Sequence, residues 1–157
     1  MELNEKIAET VNDLIEINND RIVGYEKAAK ETDSGDADLR SLFTDMADES
    51  KTYVAELEKH VQKTGETPAE GTTARGKIYR VWMDVKAAVT GHSRKAILAS
   101  CEFGEDAAQR AYDSALETDD LTAEVRSLLN EQKSKLKRSH DKIKRMRDTQ
   151  SALIFVR

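Results

Sequence analysis

At 157 residues, with 38% hydrophobic and 35% charged side chains, the chain has the size of one domain with a buried core and a heavily charged exterior. One proline and seven glycines are too few for a β-rich fold with its many tight turns. A single cysteine excludes an internal disulfide, and no stretch approaches the ~20 apolar residues that a membrane span needs.

The opening MELNEKIAETVNDL carries no apolar run, so no signal peptide is expected, and the expected location is cytoplasmic. The net charge of −5 is unevenly spread. Residues 1–70 hold 18 acidic and 8 basic side chains; residues 71–157 hold 12 and 17. Such polarity favours pairing between the two halves or between copies of the chain.

Hydrophobic spacing predicts a first helix over about 4–31, with Ile7, Val11, Leu14, Asn18, Ile22, Tyr25 and Ala29 on its inner stripe. The run Thr32-Asp33-Ser34-Gly35-Asp36 favours a turn and then a helix cap. A second helix follows over about 37–63, with Leu39, Leu42, Phe43, Met46, Ser50, Tyr53, Leu57 and Val61 inward. Gly65 and Pro68 mark its stop.

Residues 64–91 are too long for a tight turn, and within them 73–89 reads as a crossover helix with Ile78, Val81, Trp82, Val85 and Val89 on one side. A third main helix is expected over 93–116, with Ser93 as its cap, and a fourth over 121–149. Leu121, Val125, Leu128, Gln132, Leu136, Ile143 and Met146 would face inward on the fourth. Residues 1–149 would thus form the bundle and 150–157 an apolar tail, whose Leu153-Ile154-Phe155-Val156 needs a docking place. Two helical hairpins joined by a long crossover is the ferritin-like arrangement of a four-helix bundle, and this all-α fold is the expectation.

Several polar residues fall on or beside the apolar stripes. Glu105 sits on a stripe through Ile97, Cys101, Ala108 and Tyr112. Glu26 borders the first stripe, Glu49 the second and His140 the fourth, and Glu102 lies one turn from Glu105. Carboxylates and an imidazole facing a common seam suit iron, manganese or zinc, so Glu26, Glu49, Glu105 and His140 are the candidate metal ligands. The bundle di-iron pattern also needs Glu-x-x-His on two helices. No glutamate here has a histidine three residues later: Glu49 is followed by Thr52, and Leu57, Val89 and Lys137 precede His60, His92 and His140. The competing reading is that these groups hydrogen-bond to Tyr25, Tyr53, Tyr112 or water.

Cys101 reads as a small core residue, and His60 as a surface residue near a helix end. Lys133, Lys135, Lys137, Arg138, Lys142, Lys144, Arg145 and Arg147 make a basic run. They interleave with core positions in an acidic chain, so a solvated face is expected rather than a nucleic-acid surface. Gly104 stands mid-helix, where glycine costs about 1 kcal/mol relative to alanine and suggests close helix approach. No phosphate loop, zinc knuckle or Ser-His-Asp set is present.

The segments YRVWMDVKAAVTG (79–91), EFGEDAAQRAYDSALE (102–117) and SHDKIKRMRD (139–148), with GYEKAA at 24–29, resemble a known group. The chain is similar to the bacterial four-helix-bundle proteins carrying domain of unknown function 2383, within the ferritin-like superfamily. That resemblance implies a ferritin-like bundle and assigns no activity. The ligand pattern of di-iron relatives carries over only to Glu26, Glu49 and Glu105 or Glu102.

The function expected is therefore a non-catalytic, stress- or maintenance-related bundle protein that self-associates or binds a protein partner, without a resident cofactor. The alternative is an oxidoreductase-like bundle that binds iron or manganese through an incomplete ligand set.

Overall fold

The computed structural model describes residues 3–32, 35–72 and 94–156, with side chains described up to residue 150. Among these residues there are four helices and no strand. They are α1 (Leu3–Glu31), α2 (Ala37–Lys63), α3 (Arg94–Leu116) and α4 (Ala123–Val156). The expected crossover helix at 73–89 and the Ser93 cap lie outside the described residues.

The helix ends follow local chemistry. Gly65 adopts φ +85°, and its N–H closes on the Gln62 carbonyl at 3.0 Å, so the first residue past Thr64 turns the chain out of α2. Asp120 also takes a positive φ, 67°, in the turn after α3. Thr122 caps α4: its hydroxyl accepts the Val125 N–H at 3.1 Å. The helix therefore starts at Ala123, two residues later than the spacing suggested. It also continues to Val156, beyond the expected stop near 149.

The core divides into two clusters that fix the helix directions. One joins Val11 and Leu14 of α1, Leu57 and Val61 of α2, Tyr112 and Ala115 of α3, and Val125 and Leu129 of α4. The other joins Tyr25 of α1, Phe43 and Met46 of α2, Leu98 and Cys101 of α3, and Ile143 of α4. Thus α1 and α4 run one way, and α2 and α3 the other. α1 packs on α2 and α3, and α4 packs on α3 and, more loosely, on α2. Residues 64–93 connect the end of α2 to the start of α3, which lie at opposite ends of the bundle.

Most expected core positions are buried, with two informative departures. On α1 the buried residue is Arg21, while Ile22 is half-buried; on α4 it is Leu129, while Leu128 is half-buried. A one-residue step on a helix turns the side chain by about 100°, so the departure on α1 brings a guanidinium into the interior.

Candidate functional site

Between the two apolar clusters lies a polar layer to which all four helices contribute. At its centre is Arg21, 1% exposed. Its Nε donates to Glu105 Oε1 at 2.8 Å. Its Nη1 donates to Ser50 Oγ at 2.7 Å and to the Met46 carbonyl at 3.1 Å, and lies 3.0 Å from Glu49 Oε1. The Tyr25 hydroxyl donates to the same Glu105 oxygen at 2.5 Å, and the guanidinium carbon stands 5.1 Å from the Tyr25 ring centre. Burial opposes the charge on Arg21, but Glu105 and Glu49 outweigh it and raise its pKa. Tyr25 is raised by burial and then by Glu105, so its proton stays in place.

The hydrogen bonds continue across the layer. Ser50 Oγ donates to Asn18 Oδ1 at 3.0 Å, and Asn18 Nδ2 donates to the Tyr112 hydroxyl at 2.9 Å. That hydroxyl donates to Gln132 Oε1 at 2.7 Å, and Gln132 Nε2 reaches the Tyr53 carbonyl at 3.4 Å. Ser139 Oγ donates to Glu49 Oε1 at 3.1 Å, tying α4 to α2. The layer is thus one connected network from Glu105 on α3 to Gln132 on α4. Glu105 Oε2 is buried and accepts no hydrogen bond among the described residues.

The four candidate ligands separate. Glu105 and Glu49 stand on either side of the Arg21 guanidinium. Glu26 lies on the surface, its side chain 51% exposed, with Lys51 Nζ at 3.0 Å. His140 belongs to a second cluster between α3 and α4. There its Nε2 is 2.7 Å from Asp106 Oδ1 and 3.9 Å from Glu102 Oε1, and its Nδ1 is 3.1 Å from Asp141 Oδ1. Arg147 pairs with the other oxygen of Glu102. Burial works to lower the His140 pKa, but Asp141 and Asp106 prevail and raise it. One donor atom each from Glu102, Asp106 and His140 lie within 4.8 Å of one another.

A model of the family described as domain of unknown function (DUF2383) matches residues 6–118. The chain belongs to this family. The match runs from α1 through the end of α3 and takes in Arg21, Glu49, Glu102, Glu105 and Asp106; Gln132, Ser139 and His140 on α4 lie beyond it. No curated protein matches the chain. Among the described residues no helix is long and apolar enough to cross a membrane.

In this member of the family the central layer does not fit a di-metal centre. A guanidinium is paired with both the buried Glu105 and the half-buried Glu49, and the α4 residues of the layer, Gln132 and Ser139, supply neither a carboxylate nor an imidazole. Arg21 already supplies one fixed positive charge, which a metal ion would have to displace. Proton-transfer chemistry is equally poorly served, because burial and Glu105 raise both Tyr25 and the Cys101 thiol. The features that sequence reasoning missed are Arg21 and the grouping of Glu102 and Asp106 with His140. An arginine next to Asn18 and Tyr25 on the stripe was the available signal for the first. The i,i+4 spacing of Glu102 and Asp106 was the signal for the second.

Proposed function

We propose that this chain is a non-catalytic, ferritin-like bundle protein of the cytoplasm that self-associates. In this reading an arginine–carboxylate network occupies the layer where di-metal bundles hold their ions. The observation that carries it is the contact of Arg21 with Glu105 at 2.8 Å, both side chains wholly buried. The ferritin-like topology is supported by the helix directions, since a link between the far ends of α2 and α3 has to travel the bundle's length. Removing either charge strands the other in a low-dielectric interior, so the pair favours one arrangement of the four helices. A scaffold whose central arginine is paired with its own carboxylates leaves its surfaces as the means of acting, by binding a copy of itself or another protein.

The test is elemental analysis of protein purified without tag or chelator, together with its mass in solution. Folded, metal-free protein of multimeric mass is the expected result. Stoichiometric iron or manganese that survives dialysis overturns the non-metal reading, and a monomer at every concentration overturns self-association.

The second reading, a metal-binding bundle, is favoured by one observation: Glu102, Asp106 and His140 present oxygen and nitrogen donors from two adjacent helices. Asp141 on the remaining ring nitrogen would orient the imidazole. Titration with zinc, manganese and ferrous iron decides it. Binding at one equivalent that disappears in His140→Ala supports this reading; no binding, or binding unchanged in that variant, ends it.

A further inference from the structure

Among the described residues, α2 and α4 pack more loosely than the other neighbouring helix pairs. The two helices flank a groove of about 390 Å³. Its floor includes the buried side chains of Leu42 and Met46. Asp45 and Glu49 line it from α2, and Arg138 and Lys142 line it from α4. Asp45, Arg138 and Lys142 are exposed. Among the described residues none of these three forms an ion pair within the chain, although the two walls carry opposite charge. Glu49 differs, because it turns inward to Arg21.

We propose that this face is a two-fold interface with a second copy of the chain, a reading that rests on the self-association stated above. The argument is one of symmetry. α2 and α4 lie side by side and antiparallel, one presenting an acidic wall and the other a basic wall at the same height. A two-fold axis parallel to the helices sets α2 of each copy against α4 of its partner without changing that height. Asp45 then meets the basic wall of the partner, and Arg138 and Lys142 meet its acidic wall, so both contacts are satisfied by one operation. Leu42 and Met46 are already buried beneath the groove, so the contact surface is made by the charges.

The size is adequate. α2 has 27 residues. At ~1.5 Å per residue that is a length of about 40 Å, and two helices of ~10 Å diameter give a face of roughly 800 Å², the area each partner contributes to a standard interface. Like-charged faces of the same dimensions would repel, whereas here self-complementarity is built into neighbouring helices.

The experiment uses the full chain and two charge reversals, Asp45→Lys and Arg138→Glu. Both positions are exposed and lie outside the buried network, so helical circular dichroism should match that of the parent; Lys142→Glu replaces Arg138→Glu if the latter misfolds. Sedimentation equilibrium of the parent should give a dimer that weakens with added salt. Each variant alone should dimerise about tenfold more weakly or worse. An equimolar mixture of the two should regain a heterodimer, because the acidic wall of one then faces the basic wall of the other at both contacts. If the parent dimerises and both variants keep its affinity, this face is refuted while self-association stands. If the parent forms only trimers or larger closed rings, the two-fold contact is refuted. A parent that stays monomeric at low salt overturns both.

Discussion

Arg21 and Glu105 are 84 residues apart in sequence, yet Nε and Oε1 meet at 2.8 Å inside the bundle with both side chains shielded from water. The pair joins α1 to α3, which pack directly, as α2 and α4 do more loosely. Its role in stability depends on what replaces it.

Arg21→Ala leaves Glu105 charged, buried and without its guanidinium, and should cost about 3–5 kcal/mol. The double substitution Arg21→Met with Glu105→Leu removes both charges and should recover most of that loss. Urea unfolding of the parent, Arg21→Met, Glu105→Leu and the double variant measures the coupling. A double variant as unstable as the sum of the singles would show that the two side chains act independently.

Tyr112 connects Asn18 on α1 to Gln132 on α4 through a single hydroxyl. Tyr112→Phe keeps the ring and removes that link, taking the donor from Gln132 Oε1 and leaving Asn18 Nδ2 only the Leu14 carbonyl. A loss of about 1–3 kcal/mol is expected. The measurement is a shift in urea midpoint with an unchanged slope; no shift would mean that the amides find each other or water instead.

Cys101 is fully buried, and burial, then Glu105, raises its thiol pKa far above neutrality. Native protein should therefore resist alkylation by iodoacetamide at neutral pH and react at one site once unfolded. Mass spectrometry after a timed exposure reads this directly. Rapid native modification would show that the layer around Glu105 opens readily.

Arg94 at the start of α3 grips Asp36 and Asp38 at the start of α2, at 2.7 Å and 2.9 Å. Its hydrogen bond to Asp38 holds that carboxyl below its ordinary 3.8. A depressed carboxyl stabilises the fold above its unfolded pKa and loses that contribution as pH falls through the folded value. The stability difference between the parent and Asp38→Asn should thus be constant near neutral pH and shrink as the pH falls through and below the ordinary carboxylate range. Thermal melts of the two proteins across that range test it; a difference that persists in acid would point to helix capping rather than charge.

Periodicity carried far in this chain because each helix buries a continuous apolar stripe. Leu39, Phe43, Met46, Tyr53, Leu57 and Val61 are all buried as their three- and four-residue steps require. Glu105 is likewise buried, and its hydrogen bond to Tyr25 was among the partners that spacing alone suggested. Glu26 sits at the edge of its stripe, where a small rotation decides between core and solvent, and it emerged on the surface beside Lys51. His140 faced a neighbour rather than the centre, and so met Glu102 and Asp106.

The residues alone thus determined four helices, their approximate limits, an interior glutamate and the want of Glu-x-x-His, because these depend on neighbours within a few positions along the chain. Only the tertiary structure decided that Arg21 turns inward, that it lies between Glu49 and Glu105, and that the candidate ligands divide between two places. Those outcomes depend on helix rotation and on contacts tens of residues apart. A rotation of about 100° separates a solvated arginine from a buried cation, and packing against the other helices selects it.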